Sequence, residues 1–566
     1  MAVILEVLLH GMVWLLTMKF FALILVAAYL LAPTLTAQVG GESTLLRTFA
    51  MAPGFEAETP TVGLGDLNGD GIGELLIGAP GANGGAGRAT VQSGADGAVI
   101  YQYSGSASGW NGSGLGRAVA NAGDQDGDGF DDFFVSEPGG LGGSGARGYV
   151  HLYSGASGAL IQTIPAISTG AVFGWDLAML SDLDGDGRQE LIVGDNRGTF
   201  QTGAVHVFAS ASSSLLFTMN GEGVGDAFGA SVADAGDVDN DGKADILVGA
   251  EAAALGKGAA YVFSGADGSL LRRYVGAATS DRFGHDVGGL GDIDADGHAD
   301  VLISATYADR GSLQDSGTVY AISGRTSNIL WVRKGDREDG WLGSSLAVIE
   351  DLDSDMLPDV LVGAHGVNYP GLPDAGAVWW LSGATGELIH SIEGSQSYSA
   401  IGYMVSSVGD LDQDGYEDVV INRSNYALDK WVDAFSFHPF LRSDLPTASV
   451  SVGGTAHLEL DFPDAAAYEY KVLFSKTGNS TSVYGVEIPL TQDYLTVDSY
   501  RGNYPMPTTN LHGALGPNGD ATASFIVPAG LPSAMVGQTF WLAAIAAQPG
   551  QLPEYSSIAI ALEITL

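Results

Sequence analysis

A nine-residue acidic loop recurs seven times along this chain, beginning at Asp66, Asp124, Asp182, Asp237, Asp292, Asp351 and Asp410, at intervals of 58, 58, 55, 55, 59 and 59 residues. A period of that length signals a stacked or radial array in which each repeat is one supersecondary unit that buries its apolar face on its neighbours. The copy at 228 to 250, FGASVADAGDVDNDGKADILVGA, has Asp237, Asp239, Asp241 and Asp245 at loop positions 1, 3, 5 and 9, and Gly242 at position 6. Four strand patterns surround the loop: small-residue SVADAGD leading in, apolar ADILVGA leading out, AAYVFSGADG ending at a turn, and SLLRRYV after it. Four antiparallel strands make one blade, so the chain is expected to be all-β, with a seven-bladed β-propeller over 43–441.

Alternating acids folded round a glycine are what a hard dication wants, since calcium takes six to eight oxygens and the carbonyl of position 7 can add one. The expected calcium ligands are therefore Asp66, Asn68, Asp70, Ile72 and Glu74 in loop one, and Asp124, Asp126, Asp128, Phe130 and Asp132 in loop two. Loop three offers Asp182, Asp184, Asp186, Arg188 and Glu190, and loop four Asp237, Asp239, Asp241, Lys243 and Asp245. Loop five offers Asp292, Asp294, Asp296, His298 and Asp300, loop six Asp351, Asp353, Asp355, Leu357 and Asp359, and loop seven Asp410, Asp412, Asp414, Tyr416 and Asp418. Up to seven Ca2+ ions are expected, with loop six the weakest because Met356 stands where a sharp turn favours glycine. Turn capping alone would also recruit Asp and Asn, but four convergent carboxylates without a cation repel one another. An EF-hand needs a bidentate Glu at position 12; here that position is Ile77, Val135, Val193, Val248, Ile303, Val362 or Ile421, each in a strand-like run.

The ends of the array are complementary. After a last third strand near Trp431 to Phe437 no fourth strand follows, whereas Ser43 to Phe49, STLLRTF, precedes the first loop and matches the fourth strands LIQTI and SLLRRY. The N-terminal strand is thus expected to complete the seventh blade and leave no open sheet edge. Phe173-Gly174, Phe228-Gly229 and Phe283-Gly284 ahead of the acid loops, with Gly78-Ala79-Pro80 after the first, resemble FG-GAP repeats, which form the seven-bladed propeller of integrin α-subunits. Leu115-Gly116, Leu342-Gly343 and Ile401-Gly402 depart from the Phe-Gly pair, and no interval has room for an inserted adhesion domain.

The formal charge of -43 excludes nucleic acid and anionic membranes as natural partners and suits cations. With no cysteine there is neither a disulfide framework nor thiolate chemistry. Lys19, an apolar run from Phe20 to Ala32, Pro33 and a small-residue stretch ending at Ala37 are laid out as an export signal over 1–37, with a possible true start at Met18. No later stretch is apolar enough to span a bilayer, so the mature chain is expected not to cross a membrane and to be secreted or held at the cell surface. Residues 443–566 alternate between Gly and Pro turns, in runs such as AHLELDF and SIAIALEITL, and read as a β-sandwich-like module.

No HExxH, GxSxG or P-loop is present, and His151, His206 and His298 fall on strands or a loop surface, so no catalytic residue is assigned and no enzyme is expected. The reading is an exported calcium-binding propeller acting as a binding or adhesion-like protein at the cell surface; a polysaccharide-binding or polysaccharide-cleaving propeller is the alternative. A protein or glycan ligand is expected on the face opposite the acid loops, where Trp110, Phe200, Tyr307, Arg310, Lys334, Trp341, Tyr369, Tyr398 and Tyr426 fall.

Overall fold

The computed structural model describes residues 38–50, 59–105, 112–139, 148–167, 172–197, 202–210, 212–353, 355–424 and 430–439, and further strands scattered over 441–565. Six four-stranded antiparallel sheets form six of the blades, and four strands of a larger, ten-stranded sheet form the seventh. In blade four the strands are Ser231–Gly236, Asp245–Ala250, Ala259–Phe263 and Leu270–Val275, paired in sequence order. The second strand is buried at every position, which is why it reads as an unbroken apolar run, while the fourth, at the rim, is exposed or half-buried except at Tyr274. All seven position-12 residues lie in such second strands and are 0–2% exposed, so the strand exit that separates these loops from an EF-hand is real.

Closure of the ring follows the complementarity of the two ends. Gln38–Ala50 pairs antiparallel with Lys430–Pro439, in a register running from Gly41 opposite Pro439 to Ala50 opposite Trp431. Blade seven therefore takes its outer strand from the N-terminus and its other three from 405–439.

The core lies between blades rather than inside any one. A single cluster joins Leu180, Ile192 and Val205 of blade three to Phe228, Ile246, Val248 and Tyr261 of blade four. The Phe-Gly pairs explain how blades approach so closely. Phe228, Phe283, Leu342 and Ile401 each form a parallel bridge with the glycine that opens the third strand of the preceding blade, so any large apolar residue serves in the phenylalanine position. The glycine that follows lies against the glycine of the preceding second strand: a Cβ on Gly249 would stand 2.4 Å from Gly284 O, and Gly284 itself has φ +81°. Side chains are excluded there by backbone contact.

At the rim each blade also reaches its successor. Phe49 and Phe217 pack over the turn glycines Gly97 and Gly268, and Trp331 lies over Gly386 while its Nε1 donates to Gly383 O at 2.7 Å. Beyond 440 the described strands form one sheet from Leu441–Ser443, Gly454–Asp461, Asp520–Val527 and Thr508–Thr509. A second group, including Glu469–Ser475 and Thr539–Ala547, connects to blade seven through parallel pairing of Tyr555–Ser557 with Gln38–Gly40. Among the described residues, no helix is long and apolar enough to cross a membrane.

Candidate metal loops and the opposite face

Each loop is folded by its own acids. The position-1 carboxylate turns inward and accepts backbone N–H groups from across the loop: Asp66 takes those of Gly69 and Gly71, Asp237 those of Asp241 and Gly242, Asp410 those of Asp414 and Gly415. Position 5 accepts the N–H of position 7, as in Asp241 with Lys243 at 2.9 Å and Asp296 with His298 at 3.2 Å. These bonds hold Asp66, Asp124 and Asp182 below the usual carboxylate range. Position 6 has a positive φ in every loop, +87° to +92° at the five glycines Gly71, Gly129, Gly187, Gly242 and Gly297, +88° at Gly415 and +68° at Met356. The one non-glycine therefore adopts the same strained conformation, with its side chain exposed.

Position 9 is the brace. All seven of its acids are at most 1% exposed. One carboxylate oxygen accepts the N–H of position 2 in every loop, for example Val238 to Asp245 at 2.9 Å and Leu183 to Glu190 at 2.8 Å. In loops two, four, five and six the other oxygen accepts the N–H of Gly155, Gly265, Gly324 or Gly383, at the turn between the third and fourth strands. The acid loops and these turns thus share one face of the ring.

The donor set fits a hard cation. Oxygens of Asp66, Asp70 and Glu74 converge within 4.8 Å of one another, as do those of Asp124, Asp126 and Asp132, of Asp182, Asp184 and Glu190, and of Asp237, Asp239 and Asp245. In loop five the converging acids are Asp292, Asp294 and Asp296, leaving Asp300 to its bracing role. Turn capping accounts for many of the contacts but not for all the oxygens: Oδ1 of Asp239, of Asp353 and of Asp418 is buried without a hydrogen-bond partner. A buried carboxylate oxygen left unpaired is costly, and a cation is its natural partner. Burial, followed by the neighbouring acids, pushes Glu74 and Glu190 up to about 7 and Asp353 up to about 8; burial likewise raises Asp245 and Asp300 to about 6 and Asp418 to about 7. A positive ion at the loop would reverse that shift.

Two sequence profiles match the chain: one described as an FG-GAP-like repeat over 182–248, and one described as an FG-GAP repeat over 59–91 and 283–322. These segments of the chain carry FG-GAP repeats. Its FG-GAP region resembles integrin α-subunits: integrin alpha-8 of Mus musculus is 32% identical over 218 residues, 36% of this chain and 20% of that protein. Integrin alpha-V of Gallus gallus is 28% identical over 213 residues, 34% of this chain and 20% of that protein. The matches span about a fifth of these relatives. Among solved structures, one titled "Structure of Dos1 propeller" superposes with a TM-score of 0.39 at 13% identity, over 66% of this chain and 77% of that one.

On the opposite face of the FG-GAP ring, rings and cations form an arc across blades five, six and seven. The Arg282 guanidinium stands 4.4 Å from the Tyr307 ring centre, Tyr307 lies 6.0 Å from Trp341, Trp341 5.0 Å from His365, and His365 4.6 Å from Tyr403. Arg282 and Trp341 hold positive φ angles of 54° and 52°. Trp341 Nε1 and His365 Nδ1 are buried with no hydrogen-bond partner, and burial lowers His365 to about 4, which keeps it neutral. Glu251 Oε2 accepts from His285 Nδ1 at 2.7 Å and lies 3.5 Å from Arg282 Nη1.

Of the aromatic and basic residues expected on this face, Tyr307 and Trp341 belong to the arc. Tyr369 lies under Arg337 at 5.5 Å, Tyr398 and Lys334 are exposed, and Arg310 is tied to Gly335 O at 3.1 Å. Trp110, Phe200 and Tyr426 lie outside the described residues. Sequence reasoning missed Arg282, His365 and Tyr403. Their signal was positional: Arg282 directly precedes a Phe-Gly pair, Tyr403 directly follows the Ile401-Gly402 pair, and His365 follows the Gly-Ala that ends a second strand.

Proposed function

We propose that this protein is an exported, calcium-stabilised FG-GAP propeller that acts as a binding or adhesion-like protein at the cell surface. Calcium would be held by the acids at positions 1, 3, 5 and 9 and the carbonyl at position 7, residues Asp66 to Asp418 as enumerated above. The bound ion would neutralise the loop and cross-link its two flanking strands, while the position-9 acid holds the loop against the neighbouring turn.

The observation that carries the binding role is the arc on the opposite face, a continuous run of Arg282, Tyr307, Trp341, His365 and Tyr403 in which two buried ring nitrogens are left unpaired. Aromatic and arginine side chains are the commonest binding hot spots. Likeness to integrin α-subunits supports a protein ligand; the aromatic faces and free ring nitrogens also suit a sugar, which keeps a polysaccharide ligand as the second reading. Residues 443–566 are assigned to a β-sandwich-like module beside the 43–441 ring, following a 1–37 export signal.

The test is the mature protein applied to a glycan array and, immobilised, to solubilised cell envelopes, in parallel with Trp341→Ala/His365→Ala. Binding abolished by the double substitution at unchanged calcium-dependent melting supports the face. Binding that survives it and is lost on deleting 443–566 refutes it.

A further inference from the structure

The acid loops touch one another around the ring, and they do so through residues that are not their carboxylate ligands. Lys243, position 7 of loop four, donates Nζ to Leu183 O, position 2 of loop three, at 2.9 Å. His298, position 7 of loop five, sets Nδ1 2.8 Å from Val238 O, position 2 of loop four, and the neighbouring Ala299 N–H donates to Asp237 O at 2.8 Å. Position 8 makes the link elsewhere. Asp131 of loop two accepts from Gly65 N–H, just before Asp66, at 2.9 Å, and Glu417 of loop seven accepts from Glu350 N–H, just before Asp351, at 2.9 Å. Across the seam where the ring closes, Gln413 of loop seven donates Nε2 to Gly71 O of loop one at 3.0 Å. Loops two and three are joined through the Ser210 hydroxyl, which contacts Gln125 Oε1, position 2 of loop two, at 2.9 Å and Gln189 O, position 8 of loop three, and Arg188 of loop three lies within electrostatic reach of Asp124 of loop two.

One junction differs. Among the described residues no hydrogen bond, direct or through a single bridging side chain, joins loop six to loop five, and positions 7 and 8 of loop six are Leu357 and Pro358, whose side chains have nothing to donate or accept. The links thus run 6-7-1-2-3-4-5 and stop where the two ends of that series meet.

The position of the clamps gives them their effect. Residue 2 sits between ligand positions 1 and 3, and its N–H is already fixed by the position-9 carboxylate of its own loop, as in Val238 with Asp245 and Leu183 with Glu190. When the next loop also takes its carbonyl, the peptide unit that aims the position-1 and position-3 carboxylates is held on both sides. A ligand set fixed before binding loses less freedom when the ion arrives.

We propose that Lys243 and His298, with Asp131, Glu417 and Gln413, are positioning residues that couple calcium binding between neighbouring loops, so that occupancy spreads along the series and does not cross from loop five to loop six. The inference rests on the calcium reading of the loops. It is tested by hydrogen exchange of the full mature chain during a calcium titration, following peptides from each loop separately, which their spacing of 55 to 59 residues allows. In Lys243→Met the midpoint of calcium protection in loop three should rise by about three- to tenfold, the effect of losing one charge-assisted hydrogen bond, with loop six unmoved and Lys243→Arg restoring it. In Asp296→Asn, which weakens loop five itself, loop four should weaken too and loop six should not. Protection of every loop with an unchanged loop-three midpoint in Lys243→Met overturns the coupling, as does an equal shift in loops four and six in Asp296→Asn. Absence of calcium protection in all loops of the unaltered protein overturns instead the calcium reading.

Discussion

Stripped of calcium, this protein should melt at progressively lower temperature as pH rises from 5 to 8; in millimolar calcium the decline should largely vanish. The position-9 acids set the sign. Burial, and then the loop's other carboxylates, push Glu190 from 4.5 to about 7 and Glu74 likewise. An acid whose folded pKa is raised keeps its proton in the fold where the unfolded chain has released it, so its contribution is fully present below about 4.5 and is lost as pH climbs through about 7. For Glu190 the shift of roughly 2.5 units corresponds to about 3 kcal/mol, at 1.36 kcal/mol per unit, as an order of magnitude. Asp418 rises to about 7, and Asp245 and Asp300 to about 6, in the same direction. The lowered acids Asp66, Asp124 and Asp182 act oppositely, but their titration is over before pH 5; the buried imidazoles His206 and His365, lowered to about 4, also act oppositely up to about pH 6.5 and are outnumbered by the raised acids. Calcium bound only by the folded ring adds about 2.7 kcal/mol per site at a hundredfold excess over Kd, and more at pH 8 than at pH 5, because proton and ion compete for the same oxygens. Calorimetric melts in EDTA and in calcium at pH 5, 6, 7 and 8 measure both effects. A melting temperature in EDTA that is flat or rises with pH, or a calcium increment equal at pH 5 and 8, would refute the reasoning.

Three further outcomes are expected. Met356→Gly relieves a non-glycine held at φ +68° and should tighten calcium binding at loop six and raise stability by about 1 kcal/mol, read by titration and melting; no change would show that the strain is absent in solution. Gly284→Ala places a Cβ 2.2 Å from Ala259 O at a φ of +81° and should destabilise the ring by about 3 kcal/mol or more, seen in urea unfolding; a loss under about 1 kcal/mol would mean that blades four and five do not meet as described. A chain beginning at Met51 loses the outer strand of blade seven and should aggregate or melt well below the mature protein; equal melting curves would refute closure by the N-terminal strand.

The sequence made legible whatever is local to one repeat. The acid spacing, the glycine at position 6 and the apolar exit each report a single turn of chain, and the absent last strand could be matched to STLLRTF because both belong to one repeated pattern. A turn that favours glycine at position 6 implies a positive φ there, and Met356 has one. What escaped depends on contacts between repeats. Arg282, Trp341, His365 and Tyr403 are far apart along the chain and meet only once the ring is closed. The bracing of Asp132, Asp245, Asp300 and Asp359 by turn glycines about 20 residues away was hidden for the same reason, since nothing in the loop itself names its partner. The Phe-Gly pair was recognisable as a motif, yet its physical meaning, one glycine seated on another in the preceding blade, emerges only from the packing.

The strand that closes the ring is also the first part of it to be made. Phe49 must wait for Val432, 383 residues later by their numbering, before it has a partner. Bringing ends that far apart together costs about 5 kcal/mol of chain entropy on a logarithmic estimate, repaid only when the last blade exists. Throughout synthesis the chain therefore carries an unpaired edge at each end, and no product that stops short of the last blade can complete the circle. Blade seven acts as a clasp that tests whether the whole ring has been delivered: a chain released early stays open and exposed, the state in which quality-control proteases find their substrates.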